Sequence, residues 1–161
     1  MVTLNNPDGS APCAIDGVWT QELSVIEAAG GPVLHMLRAD SPLFRDFGEI
    51  YFSVVLPGAV KAWKLHREQS QNLAAPSGLV QVVVYDGRPS SPSMGKVESF
   101  LLGRPDYYRL LHIPPGVWYG FAGRSDAPAI LANCVDIPHQ QDDAFGLDAD
   151  SSEIPYAWNG R

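Results

Sequence analysis

Cysteine is nearly absent: the 161 residues hold 2, Cys13 and Cys134. That excludes a disulfide framework and a zinc site built on paired cysteines. Cys134, inside the apolar run 129–135, is expected to be a buried small hydrophobe. No window of ~18 uninterrupted apolar residues occurs, so no membrane-spanning helix is expected. The first residues, Met1 to Asp8, have neither the basic region nor the apolar stretch of a secretion signal, and the cytoplasm is the expected compartment. Positive charge is scarce, with 11 Lys and Arg against 18 Asp and Glu and a net charge of −7. A chain this acidic lacks the basic face that nucleic acid requires. Helical periodicity, internal repeats and low-complexity tracts are missing as well.

What is present is the material of a β-structure. Hydrophobic residues make up 45% and charged ones 18%, an ordinary globular balance, and 161 residues suffice for one domain over 1–161. The 14 prolines and 15 glycines separate short apolar runs. Residues 1–16 read as a loosely ordered lead-in. Strands are expected over 17–27 (weakly), 33–38, 48–56, 59–67, 79–86, 97–102, 108–113, 118–121 and 129–135, with one helical turn at 41–47. About nine short strands at roughly ten-residue spacing predict an antiparallel sandwich or barrel. After Pro138 the chain is acidic and irregular, but it ends in Ile154, Tyr156 and Trp158. Ile154 and Trp158 are expected to anchor it as a closing segment.

Charge is distributed unevenly. Residues 136–153 carry six Asp or Glu and no Lys or Arg, whereas 61–67 carry Lys61, Lys64 and Arg67 and no acid. His66 ends that basic strand. An imidazole with an ordinary pKa of about 6.5, ringed by cations, suits abstraction of a proton from carbon beside a carbonyl in a polyanionic substrate. Lys64 shares strand parity with His66 and is a candidate to stabilise an enolate oxygen. Trp63 alternates with Lys64 and should face away, into core or dimer packing. Tyr119, in a turn after Pro114-Pro115-Gly116, is the candidate acid. Arg88 is a candidate phosphate or carboxylate clamp, and Asp86 is expected to cap its strand end with Arg88. Trp118 is a candidate to stack on a base or sugar. His35, His112 and His139 are expected to be structural. The only set arguable as metal ligands alongside His66 is Glu68, Gln71 and His112, which nothing in the spacing forces together, so neither metal nor cofactor is expected.

Several of these segments in this order resemble the dTDP-4-dehydrorhamnose 3,5-epimerases, a cupin (jelly-roll) family of nucleotide-sugar enzymes. Ser53 and residues 60–66 are similar to its asparagine-serine and glycine-leucine-histidine strands, with His66 on the catalytic histidine. Residues 71–88 align without a gap, placing Gly78 on the turn glycine and Asp86-Gly87-Arg88 on the strand-end aspartate and arginine. Ser91–Gly95 resembles the Ser-Pro-Thr-Phe-Gly loop, 113–121 the Ile-Pro-x-Gly-Phe-Ala-His-Gly-Phe turn, and Ile154–Trp158 the Ile-x-Trp tail. The resemblance covers 31–158. It implies an all-β cupin-type jelly roll that epimerises a dTDP-4-keto-6-deoxyhexose by proton abstraction beside the C4 ketone, for deoxysugar or polysaccharide synthesis. It also implies a homodimer.

The departures fall on the chemistry. The family's second histidine is Tyr119 here, its catalytic tyrosine falls on Asp136, and the lysine opening its central strand is Gln71. The aspartate that orients its histidine lies beyond the Ile-x-Trp tail and past Arg161. The expected site is therefore His66, Tyr119 and Lys64 as catalytic groups, with Lys61, Arg67, Gln71, Arg88 and Trp118 binding substrate. Two other readings remain open from sequence: a sugar-nucleotide-binding cupin without turnover, and a metal-dependent cupin enzyme.

Overall fold

The computed structural model describes residue 6 and residues 8–159, and the described residues form 13 strands and no helix. They are β1 (Ser10–Pro12), β2 (Trp19–Glu22), β3 (Val25–Ile26), β4 (Val33–Leu34), β5 (Glu49–Val55), β6 (Val60–His66), β7 (Gln71–Ser77), β8 (Leu79–Tyr85), β9 (Val97–Gly103), β10 (Arg109–Ile113), β11 (Trp118–Gly123), β12 (Ala129–Val135) and β13 (Ala144–Gly146). Two antiparallel sheets face each other, one in the order β1-β2-β10-β7-β12-β5 and the other β13-β6-β11-β8-β9. This is the expected jelly roll, as a two-sheet sandwich rather than a closed barrel.

Alternation decides which side chains meet inside. On β8, Val80, Val82 and Val84 point into the central core with Leu73, Ala75, Leu111, Ile113 and Leu131 from the first sheet. Val83 points outward but is also buried, because Ile154, Tyr156 and Trp158 of the tail fold over the second sheet with Trp63. A strand covered on both faces reads as a continuous apolar run, which is why Val82-Val83-Val84 of β8 lacks alternation. Trp63 faces away from His66, as expected, and it contacts the tail: its ring lies 5.1 Å from Trp158. The closing segment is thus anchored by Ile154 and Trp158. The outer face of the first sheet is covered by Leu34, Met36, Leu37 and Leu43, packed on Ala74, Tyr108 and Leu110.

Four local expectations change. The lead-in is structured within the described residues, because β1 pairs with β2 and Ile15 lies fully buried in the core. The strand at 33–38 is reduced to Val33–Leu34, since Met36 and Leu37 are used for packing rather than pairing. Residues 41–47 make one turn (Phe44 N–H to Ser41 C=O, 3.0 Å) without continuing as a helix. β7 is an additional strand at the centre of the first sheet. Its Gln71-Asn72-Leu73-Ala74-Ala75-Pro76-Ser77 has little β-propensity, and burial between β10 and β12 overrides that preference. Pro76 is accommodated where the β7–β12 register shifts.

Candidate active site

The two sheets part between their edge strands β5 and β13, and a cavity of about 730 Å³ opens there. Its walls include Ser53 from β5, Lys61 and Lys64 from β6, Tyr119 and Phe121 from β11, and residues 144–148. A recess of about 30 Å³ deepens it toward Tyr51, Leu73, Leu131 and Asn133, sharing Ser53, Lys64, Tyr119 and Phe121 with the main cavity.

His66 lies behind this wall, 7% exposed, with the lining residue Tyr119 between its ring and the cavity. Its neighbour is fixed by strand register. β13 pairs with β6 so that Ala144 is opposite His66, and the residue before it, Asp143, reaches the imidazole, Oδ2 to Nδ1 at 3.3 Å. The turn after His66 wraps the same carboxylate: Glu68 N–H donates to Oδ1 at 2.7 Å and Gln69 N–H to Oδ2 at 3.3 Å. Burial opposes ionisation of Asp143, but these donors and His66 keep its pKa below the ordinary value. His66 is therefore not left without a carboxylate, contrary to the reading that sought one only past the tail. Asp143 was hidden in an acidic run that looks like a solvated loop; the sequence signal was its position one residue ahead of a short apolar strand.

Burial, first of all, lowers the pKa of His66, with Lys64 and His139 acting the same way and Asp143 opposing them. The ring is neutral near pH 7, as a base must be. On its other side, Nε2 lies 3.3 Å from the hydroxyl of Tyr119, and the two rings are stacked with centroids 6.1 Å apart. Tyr119 is 3% exposed, and burial pushes its phenol far above the usual range, so the hydroxyl stays protonated.

Behind Tyr119 runs a chain of amides whose orientation is set from both ends. Ile137 C=O accepts from Gln69 Nε2 (2.6 Å), so Gln69 Oε1 accepts from Gln71 Nε2 (2.9 Å). From the other end, Asn72 N–H donates to Asn133 Oδ1 (3.1 Å), leaving Asn133 Nδ2 to donate to Gln71 Oε1 (2.7 Å) and to the Tyr51 hydroxyl (2.8 Å). Gln71 Oε1 is thus an acceptor, and the Tyr119 hydroxyl, 3.2 Å away, can donate to it. Tyr119 has one proton and two acceptors, His66 Nε2 and Gln71 Oε1.

The structure brings Tyr119, Lys64 and Lys61 together at the cavity, with Lys61 Nζ also held on Val54 C=O at 2.9 Å, and sets His66 directly behind Tyr119. Gln71, 1% exposed, reaches Tyr119 and Asn133 rather than the cavity. Three expected binding residues lie elsewhere. Arg67 donates to Asp142 C=O at 2.7 Å and covers the Phe145 ring at 4.9 Å, bracing β13. Arg88 is consumed by Asp86, Nε to Oδ1 at 2.8 Å and Nη2 to Oδ2 at 2.9 Å, and by Asp16 C=O at 2.7 Å, tying the end of β8 to the lead-in. Trp118 alternates with Tyr119 and faces the tail cluster on the outside of the second sheet. Nor do the arguable metal ligands converge. Gln71 points inward, whereas His112 is on the outer face, its Nδ1 on Asn72 Oδ1 at 2.8 Å. Among the described residues no group of three His, Cys, Asp or Glu is arranged to hold a metal ion.

A model of the dTDP-4-dehydrorhamnose 3,5-epimerase family matches residues 14–161. The chain belongs to this family. The match starts well ahead of the segment at which the resemblance was legible, taking in Ile15 and β2. The chain is 30% identical over 144 residues to the probable low-salt glycan biosynthesis epimerase Agl13 of Haloferax volcanii, covering 88% of each. It is 30% identical over 147 residues to the spore coat polysaccharide biosynthesis protein SpsL of Bacillus subtilis, covering 90% of this chain and 97% of that one. The crystal structure of a dTDP sugar isomerase from Desulfovibrio desulfuricans G20 superposes with a TM-score of 0.89 at 55% identity, over 90% of this chain and 92% of that one. Family membership makes this protein a sugar-nucleotide epimerase.

Proposed function

We propose that the protein epimerises a dTDP-4-keto-6-deoxyhexose at a carbon flanking the C4 ketone, with His66 as the base. The observation that carries this reading is the line Asp143–His66–Tyr119 against a cavity furnished with Lys64 and Lys61. A proton on carbon beside a ketone is acidic because the electron pair left behind delocalises onto the ketone oxygen. His66 Nε2 receives that proton once the Tyr119 hydroxyl turns to Gln71, and Asp143 stabilises the imidazolium that forms. Lys64, on the same face, faces the growing enolate charge, and Lys61 is the nearer cation for a diphosphate at the mouth. Nucleotide sugars of this kind are made in the cytoplasm, which is the compartment proposed here.

Tyr119 belongs to the base's own side, so it serves as a cap on Nε2 rather than as the acid of the opposite ring face. The enzyme works as a homodimer in this proposal. Ile50, Phe52 and Val54 form an exposed apolar row on the outside of edge strand β5, with Phe52 63% exposed, and Phe47, Leu56 and Ile130 extend it. Such a row on an unpaired edge suits a second copy. The test of activity is incubation with dTDP-4-keto-6-deoxyglucose in deuterium oxide. Deuterium entering C3 or C5 supports the reading; a protein that binds the nucleotide sugar but exchanges neither position contradicts it.

A further inference from the structure

Inverting a carbon requires a proton donor on the ring face opposite the base. Tyr119 touches His66 itself, so it stands on the wrong side. Asp136, at the position of the family's tyrosine, is turned to the backbone, where its Oδ1 accepts Ser70 N–H at 2.8 Å. The donor must come from the opposing sheet.

Resting on the epimerase reading above, we infer that Tyr51 is that donor. Tyr51, Ser53 and Val55 share one face of β5, with Val55 in the central core, Ser53 on the cavity wall and Tyr51, 37% exposed, at the open edge. Tyr51 lines the recess together with Lys64 and Tyr119, across the sandwich from the strand that carries His66. Its hydroxyl oxygen already accepts from Asn133 Nδ2 at 2.8 Å, and the direction of that bond is fixed by the amide chain described above. The O–H of Tyr51 is therefore not spent on Asn133 and is free to point into the recess. Burial raises its pKa above the ordinary value, with Glu49 adding to the effect and Asn133 opposing it, so the proton is retained near neutral pH.

The same bonds keep base and acid apart. Asn133 donates one amide proton to Gln71 and the other to Tyr51, and an amide nitrogen has no basic lone pair with which to pass protons on. The Tyr119–Gln71–Asn133 chain fixes both ends of the site without letting a proton run from His66 to Tyr51. In the step proposed, the C–H bond breaks toward His66 Nε2 and the enolate forms. A new C–H bond then forms on the other face as the Tyr51 O–H breaks, leaving a tyrosinate beside Lys64. Water reprotonates Tyr51 and removes the proton from His66, so the net change is an inversion.

The test is the partition between exchange and inversion, followed in deuterium oxide on dTDP-4-keto-6-deoxyglucose. Tyr51→Phe is expected to keep labelling recovered substrate with unchanged configuration, within about tenfold of wild type, because His66 still removes and returns a solvent-exchanged proton. Its inversion rate is expected to fall by at least about 100-fold, the usual contribution of a positioned acid. Tyr51→His, which again places a donor on β5, should recover part of the inversion and serves as the readout if the Phe variant does not fold. Inversion by Tyr51→Phe at the wild-type rate, or loss of exchange and inversion to the same extent in folded protein, overturns the assignment. A wild-type enzyme that inverts while both Tyr51 variants invert at the same rate as it does overturns Tyr51 but spares His66. Wild-type protein that neither exchanges nor inverts overturns the epimerase reading and this one together.

Discussion

As the proposed base, His66 can take a proton only while its ring is neutral, and its surroundings set the pH at which that fails. Burial holds its pKa below 6.5, against the pull of Asp143. The acid limb of kcat/KM is therefore expected below the ordinary imidazole range, with activity lost as pH falls through it. Asp143→Asn removes the group that favours the imidazolium. It should lower kcat at least tenfold and move the acid limb to still lower pH; a limb moving upward would contradict the role given to Asp143. Tyr119→Phe separates a cap from a relay. As a cap on Nε2, Tyr119 is dispensable, and the variant should retain deuterium exchange within about tenfold of wild type; a loss beyond 1,000-fold on the general acid–base scale would make its hydroxyl part of the proton path. At this scale the position of His66 on a basic strand was legible, as was the strand parity it shares with Lys64. Asp143 and Tyr51 were not. Each owes its position to pairing between segments distant in sequence, β13 with β6 and β5 with β12, which no local pattern encodes.

Among the elements, β11 carries the densest constraint. Tyr119 and Phe121 face the cavity while Gly120 faces outward, and a Cβ built at Gly120 would come within 2.6 Å of Ala62 Cβ and 2.9 Å of the Trp158 ring. Gly120→Ala should therefore cost about 1–3 kcal/mol in urea unfolding by overpacking and loosen the tail from the second sheet. An unchanged midpoint would show that the tail yields freely. Strand periodicity made β5, β6, β8 and β12 readable, β12 to the residue at 129–135. It failed for β7, whose Gln71 and Asn72 are polar because they serve hydrogen bonds on the two faces of the sheet, Gln71 toward Tyr119 and Asn72 toward His112. A strand that carries a buried polar network loses the alternation by which strands are recognised. The same network holds Gln71 on Tyr119, Asn133 and Gln69.

For the molecule as a whole, the same kind of burial links stability to pH. His112, beneath the segment that covers the first sheet, has its pKa lowered from 6.5 to about 4 by burial and by the charge of Arg45. Between those values the unfolded chain binds a proton that the folded chain refuses, so stability is full above 6.5 and declines as pH falls toward 4. The decline attributable to His112 is about 2 kcal/mol by pH 5, and His112→Gln should flatten that part of the curve in urea unfolding. The apolar row on β5 gives a second whole-molecule expectation: Phe52→Glu should turn a dimer into a monomer by sedimentation, and a wild-type protein that is monomeric would remove the proposed interface. Two sheets, an apolar interior and a tail folded back on the outside were all implied by strand count and by the aromatic end of the chain. The open edge between β5 and β13, where the cavity lies, was not, since it depends on which strands fall at the sheet margins.

The most direct test of the account is deuterium exchange at C3 and C5 of dTDP-4-keto-6-deoxyglucose by wild-type protein and by His66→Asn, at equal occupancy of the nucleotide sugar. Label is expected to enter with the wild type and not above background with His66→Asn, whose affinity for the sugar stays within a few fold. Exchange that survives His66→Asn would contradict His66 as the base.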